Sequence, residues 1–177
     1  MTSESKSIEV QIARIGHLFS SLDPSPFGSR DLNEDAEEFI VDWAKELPLG
    51  APIAILIHLP SSEAIRSGEI GLGASVLRYF QNRAEKYDRD LKEHFFNGWR
   101  YLAIGLPLLA VCLIASQFAA AVEPDALSRV IRESLIIVGW VANWKPIETF
   151  LYGWWPIVRT RNLYRRLSNA RVEIVSR

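Results

Sequence analysis

The 177 residues carry 20 Lys/Arg against 21 Asp/Glu, are 49% hydrophobic and have a mean hydropathy of +0.05, averages that describe one soluble domain. They conceal two unlike halves: residues 1–98 hold ten Lys/Arg and sixteen Asp/Glu, whereas residues 99–177 hold ten and five, with five of the six tryptophans. A single cysteine, Cys112, excludes a disulfide scaffold and an all-cysteine metal site, and the abundance of apolar residues without low-complexity tracts excludes a disordered chain.

Ile8, Val10 and Ile12 alternate with Glu9, Gln11 and Ala13, which predicts a half-buried strand; the preceding MTSESKSIEV has no apolar h-region, so no cleavable secretory signal is expected. Asp23-Pro24-Ser25-Pro26 forces a turn or loop. A helix over about Leu32–Leu47 follows, with Asp31 or Asn33 as N-cap, Glu34, Asp35, Glu37 and Glu38 in its first turns, and Pro48 as its stop. Its predicted apolar stripe is Ala36, Phe39, Ile40, Trp43 and Leu47. Pro52-IAILIHL-Pro60 reads as a strand buried on both faces, as in a parallel β-α-β crossover. Two strands are few for a sheet, so a third is expected around Leu18 or from other subunits.

Residues 71–98 form a long amphipathic helix in which Leu77, Phe80, Ala84, Tyr87, Leu91 and His94 make a seam spaced by threes and fours. That seam fits either a subunit contact or packing on the chain's own domain, and Glu85–Arg89 and Asp88–Lys92 are spaced to support the outer face. Tyr101–Val122 then runs 22 residues without a charge, which matches the roughly 20 needed to cross a bilayer. Pro107 and Gly105 are tolerated in such a span. A second span covers Ser134–Val158, interrupted by Lys145 and Glu148 alone, with Tyr152, Trp154 and Trp155 matching Trp99 and Tyr101 as an aromatic belt. Arg83, Lys86, Arg89, Lys92 and Arg100 precede the first span and Arg159, Arg161, Arg165, Arg166 and Arg171 follow the second, whereas the connector has Arg129 and Arg132 against Glu123, Asp125 and Glu133. The positive-inside rule therefore places both termini in the cytosol.

The resulting fold class is an α+β membrane protein. It comprises a small cytosolic β-α-β unit (1–70), a linking amphipathic helix (71–98), a transmembrane hairpin (99–122 and 134–158), an extracytoplasmic connector (123–133) beginning at Glu123-Pro124-Asp125, and a basic cytosolic tail (159–177).

Charges inside a span are costly enough to point to function. On a helical projection Ser134, Val138, Val141, Glu148, Tyr152 and Arg159 lie within about 60° of Lys145. Ser134, Val141, Lys145, Glu148 and Tyr152 are thus the candidate pore lining or gate. The same Lys145–Glu148 pair, three residues apart beside the kink-permitting Pro146, also fits an internal structural pair or a proton or substrate path. Two helices enclose no water path, so a pore requires several copies, and Gly139 and Gly153 would allow close helix approach. In the N-terminal unit, ligands are expected beyond the carboxyl ends of parallel strands. His17, Ser20 and Arg30 follow the first strand; His58, Ser61 and Ser62 follow the second, where Ser61-Ser62-Glu63 reads as an anion-binding helix start. Arg66, Arg78 and Arg83 extend a basic track toward a nucleic-acid backbone, although the net acidity of this half opposes indiscriminate binding. The bland alternatives are packed or surface histidines for His17 and His58, and a loop ion pair to Asp31 or Asp23 for Arg30. No phosphate-binding Gly-rich loop with its lysine, zinc-ligand spacing or G-x-S-x-G elbow is present, so neither an enzyme nor a cofactor is expected.

Gly139-Trp140-Val141-Ala142-Asn143-Trp144-Lys145-Pro146-Ile147-Glu148, continuing to Leu151-Tyr152-Gly153-Trp154-Trp155-Pro156, with Asp23-Pro24-Ser25-Pro26-Phe27 and Arg30-Asp31-Leu32, resembles a group of short bacterial two-span membrane proteins over nearly the full chain. In architecture the chain is also similar to the transmembrane effectors of the Hailong anti-phage defence system. That resemblance implies a homotetrameric inner-membrane ion channel, held shut by a single-stranded oligodeoxyadenylate made by a companion nucleotidyltransferase and opened when the ligand is lost. Because the likeness lies in architecture, no ligand residue is carried over by position. The expectation from sequence is therefore a homo-oligomeric, ligand-gated channel of the inner membrane. The alternative is a non-conducting anchor or assembly subunit that recruits a soluble partner through its acidic domain.

Overall fold

The computed structural model describes residues 7–24, 26, 30–48, 50–121 and 126–177, so Ser25 and Phe27 of the loop motif and Glu123-Pro124-Asp125 of the connector lie outside the described residues. In chain order the elements are strand β1 (Ser7–Gln11), a 3-10 turn (Ile15–His17), α1 (Glu34–Glu46), β2 (Ala54–Leu59), α2 (Ser61–Glu69) and α3 (Leu72–Ala121). They continue as α4 (Ala126–Ala142), α5 (Trp144–Glu148), a π-helical turn (Thr149–Gly153), α6 (Trp155–Ser168) and β3 (Arg171–Ser176). The chain divides into two compact units, one of residues 1–88 with 159–177 and one of residues 89–158.

The first unit is built on a three-stranded parallel sheet in the order β1-β2-β3. The third strand is not near Leu18. Ile15–His17 is a 3-10 turn, Leu18 is buried behind it, and Phe19 makes one isolated antiparallel bridge to Leu32. β3 comes instead from the basic C-terminal segment, which is no free tail: α6 brings it back, Arg171 N–H donates to the Ile53 carbonyl, and Arg177 N–H donates to that of Leu59. The register places Ile8, Ile55 and Val172 in one row and Val10, Ile57 and Ile174 in the next, all on the core face. The opposite rows, Glu9–Leu56–Glu173 and Gln11–His58–Val175, carry polar and half-buried residues. β2 is therefore fully buried on one face, not on both, because every helix that contributes to the core packs against the Ile55–Ile57–Leu59 side.

In α1, Asn33 is the N-cap and accepts from the Asp35 N–H. Its buried face is Glu37, Ile40, Val41 and Ala44, with Leu47 just past its end. Phe39 and Trp43, expected on the core stripe, point outward at 44% and 50% exposure. A carboxylate takes the inward position because three donors meet it. Tyr79 Oη, Tyr164 Oη at 2.7 Å and the Arg83 guanidinium at 2.8 Å all donate to Glu37, so α1, α3 and α6 share one buried anion. Burial alone would raise this carboxyl; the bonds from Tyr164, Tyr79 and Arg83 outweigh it and hold Glu37 below its ordinary value near 4.5. Burial and the same carboxylate push the Tyr79 and Tyr164 hydroxyls up. Beside this cluster Tyr87 stacks on Tyr164 with ring centroids 5.3 Å apart, and Phe80 and Ala84 are buried. The first half of the α3 seam thus packs on its own domain. Asp88 takes Arg161 and Arg165 from α6, where the sequence spacing pointed to Lys92.

Gly71, in the left-handed region at φ +64°, separates α2 from α3. From there α3 is one helix of 50 residues, about 75 Å long at 1.5 Å per residue, with no interruption between the amphipathic and the apolar parts. Among the described residues it is the one helix long and apolar enough to cross a membrane.

Glu37→Gln replaces one of the two accepting oxygens with a donor, which then meets either the Tyr164 hydroxyl or the Tyr79 and Arg83 donors, and should cost about 2–3 kcal/mol. Amide exchange in α1 and β2 at neutral pH should then run about 30–140-fold faster than in the wild type, at roughly 1.4 kcal/mol per tenfold. Because the folded carboxyl titrates below the unfolded one, its contribution is full above the unfolded value and is lost as the pH falls through the folded one. The gap between wild type and variant should accordingly narrow under acid conditions.

Candidate functional site

In the second unit α3 pairs with the segment that runs from α4 to the start of α6. Small and polar residues recur in the contact at heptad spacing, Gly98, Gly105 and Cys112 on α3 and Gly139, Pro146 and Gly153 opposite, with Asn143 and Thr149 between them, and Phe150 packs its ring against Phe95 and Trp99 of α3. A Cβ added at Gly98 would lie 2.9 Å from Thr149 Cγ2; at Gly105, 2.9 Å from Asn143 Oδ1; at Gly139, 2.8 Å from Leu109 Cδ1; and at Gly153, 2.6 Å from the His94 ring. Such distances exist only because the four side chains are absent.

Polar groups fasten this seam. Pro146 has no N–H to give the Ala142 carbonyl four residues earlier, and α4 ends there with a turn at Asn143. The buried Asn143 amide donates to the carbonyls of Gly105, at 2.9 Å, and Gly139, at 3.0 Å. One turn on, the backbone widens into the π turn, and the Thr149 carbonyl lies 3.1 Å from His94 Nε2 on α3, a type of irregularity that recurs where a helix is adapted to function. The expected second span is therefore helical but broken. α4 covers about 26 Å in its 17 residues, starts at Ala126 within the expected connector, and is followed by α5 and the π turn.

The candidate lining residues all lie off the seam. Val141 and Tyr152 are 67% and 70% exposed, and Ser134, Lys145 and Glu148 are exposed as well. Lys145 Nζ donates to Glu148 Oε2 at 3.1 Å, with side chains 64% and 49% exposed. The pair is satisfied within itself and is not covered by its own chain.

In the first unit the residues singled out as ligand contacts are only partly brought together. His17 and Arg66 line one groove of about 320 Å³ with Arg14, Ile15, Gly16, Glu63 and Ile70, beyond the carboxyl end of β1. Glu63 belongs to its wall: one oxygen accepts from the Ile15 N–H at 2.9 Å, and the other stands 4.0 Å from Arg66. Ser61 is no N-cap. Pro60 holds that position, and the Ser61 hydroxyl donates to the Arg177 carbonyl. Ser62 is exposed on the same turn and outside the groove lining. His58 sits on the half-buried sheet face, 3.6 Å from Glu9; Arg30 is half-exposed in its loop and Arg78 is exposed on α3. Among the described residues no three His, Cys, Asp or Glu side chains are placed to hold a metal.

Sequence reasoning missed Arg14 and Asn143. Arg14 follows the strand in an unremarked bend, whereas an asparagine within WVANWKP, an otherwise apolar run, was a readable signal of interhelical hydrogen bonding. Asn143→Leu should destabilise the helical pair by about 1–2 kcal/mol, and Gly105→Val should lower its thermal unfolding midpoint further by wedging the helices apart. Gly68→Ala, where nothing lies within 4 Å, should leave that midpoint unchanged.

No family model matches the sequence, and comparison with curated proteins and with solved structures finds no significant similarity.

Proposed function

We propose that this chain crosses the bacterial inner membrane twice, with both termini in the cytosol, and that several copies form an ion channel lined by the Lys145–Glu148 face. A topological observation carries the two crossings: residues 72–88 and 159–177 belong to one compact unit, and β3 pairs with β2 in one sheet. A chain whose middle enters the membrane through α3 must then return to the side it left, so the number of crossings is even. The segment from α4 to the start of α6 is the return path, long enough with α5 and the π turn to reach across a hydrocarbon core of about 30 Å.

Lys145 and Glu148 support the pore. An ionised side chain at the centre of a span costs about 2.5–3.5 kcal/mol on insertion scales. This pair faces away from its own seam, so lipid would bear on it in a monomer. Facing a shared water path or another copy removes that cost, and rings of charged side chains set ion selectivity. Homo-oligomerisation follows, a tetramer on the resemblance noted above. The Arg14–His17–Arg66 groove is the place for an anionic ligand of the nucleotide or oligonucleotide class, the product of a companion nucleotidyltransferase in a defence role. α3, continuous from Leu72 to Ala121, supports the coupling of that site to the gate, and the ligand's differential affinity for shut and open states sets the direction of gating.

A non-conducting anchor is favoured by one observation, the closure of the Lys145–Glu148 pair on itself. Membrane-potential dyes in expressing cells separate the readings. Ligand-free wild type should depolarise the cells, Lys145→Glu should shift selectivity toward cations, and Glu148→Ala should alter the conductance. Unchanged polarisation with the wild type and both variants would sink the channel and leave the anchor.

A further inference from the structure

We propose that the outer stripe of α1 docks into the Arg14–Arg66 groove of a second copy of this chain, so that an anionic ligand in the groove and the contact between copies exclude one another. The proposal deepens the function proposed above and rests on it for the homo-oligomer and for the ligand.

The stripe is Asp35, Glu38, Phe39, Asp42, Trp43 and Glu46, spaced by threes and fours along one side of α1 and lining a shallow recess of about 320 Å³. It is the side opposite Glu37, Ile40, Val41 and Ala44, which face the core. Two aromatic rings 6.2 Å apart, each about half exposed, are held on a rigid helix among four carboxylates, of which Asp42 pairs with Lys45 at 2.7 Å. Apolar rings on a helix face mark an interaction surface. The carboxylates decide its kind: an anionic lipid surface repels them, so the complement is a protein surface with a cationic rim and an apolar floor.

The same unit carries such a surface. Arg14, His17 and Arg66 stand around Ile15 and Ile70, in a groove of the same size. The Glu63 carboxylate within it is held by the Ile15 N–H and leaves the groove net cationic. Guanidinium groups pair with carboxylates bidentately and stack on aromatic faces, and the stripe offers both. The two patches differ, so their union is either reciprocal about a two-fold axis or head-to-tail, and a head-to-tail contact whose rotation closes gives a ring. A phosphate-bearing ligand in the groove would meet the same guanidinium groups as the neighbour's carboxylates.

Heterotypic cross-linking of the full-length protein in membranes tests this. Two tagged versions in a Cys112→Ser background carry Phe39→Cys on the stripe and Gly16→Cys in the groove, a position with nothing within 4 Å of an added Cβ. Co-expression and mild oxidation should give the mixed dimer, and each version alone should not cross-link. Asp42→Arg with Glu46→Arg, or Arg14→Glu with Arg66→Glu, should each reduce the yield about tenfold or more, and the two reversals together should restore it. A short single-stranded oligodeoxynucleotide, the probe for the ligand, should suppress the mixed product. Homotypic products without a mixed one, charge reversals without effect, or no rescue on combining them would overturn the docking. A mixed product that persists with oligodeoxynucleotide bound would overturn the exclusion. Loss of the mixed product in a protein that still depolarises cells refutes the docking alone, whereas cross-linking without conduction refutes the channel alone.

Discussion

The pairing of β3 with β2 is the constraint from which the rest of the structure follows. Arg171 to Ser176 lies in register with Ala54 to Leu59, and the Ser61 hydroxyl holds the Arg177 carbonyl at the end of the ladder. One sheet therefore joins residues more than a hundred positions apart, and the whole of 89–158 is an excursion that begins and ends in one unit. Bringing such distant segments together costs loop-closure entropy, and the ladder is not left to offset it alone. The Glu37 carboxylate binds Tyr79 and Arg83 from the outgoing helix and Tyr164 from the returning one, and Asp88 binds Arg161 and Arg165 close by. The outgoing and returning strokes are thus tied by buried or half-buried charge. Breaking such a group leaves an uncompensated ion, which is why it specifies one arrangement over others that bury as much apolar surface.

Within the excursion small residues and large ones are unevenly distributed, although Phe95 and Trp99 meet Phe150 across the contact. Glycines and the Asn143 amide occupy the seam, where the backbones approach closely enough for side-chain to main-chain hydrogen bonds, and the large residues Trp99, Trp140, Trp144, Tyr152 and Trp155 are 59–70% exposed. A water-soluble pair of helices would show the reverse order, large apolar residues inside and polar ones outside. In lipid the hydrophobic effect gives helices no reason to associate, and small residues with interhelical hydrogen bonds supply it.

How much of this was legible in the sequence depended on whether the signal was local. The alternation of Ile8, Val10 and Ile12, the capped acidic start of α1 and the uncharged run from Tyr101 are short-range patterns, and each became an element close to the expected place. The third strand was not legible, because RVEIVS is six residues at the end of an arginine-rich stretch and becomes a strand only by finding β2 across the chain. Glu37 was misread for a related reason. A carboxylate near a helix N-terminus is normally a solvated partner of the helix dipole, and nothing nearby in sequence announces two tyrosines and an arginine arriving from α3 and α6. Once Glu37 turned inward, Phe39 and Trp43 had to turn outward, since they lie on the other side of α1. Of the candidate residues, His17 was chosen by the rule that parallel sheets bind ligands beyond their carboxyl ends and Arg66 as part of a basic track, and the fold places the two in one groove. Ser61 was misassigned because its partner is the last residue of the chain.

The groove lies close in sequence to the start of α3. Arg66 and Ile70 belong to the last turn of α2 and its C-cap, and the next residue is Gly71, whose left-handed backbone conformation separates α2 from α3. The joint between the end of α2 and α3 is thus a residue whose conformational freedom exceeds that of any other. Downstream of the joint, Leu72 and Val76 are fully buried in the sheet core, which fixes the start of α3 against the domain. The Tyr79–Glu37–Tyr164 cluster lies on the same stretch of α3 and engages α6 as well. The groove, the glycine joint and the buried carboxylate thus follow one another along a single stretch of chain, from the end of α2 to the third turn of α3.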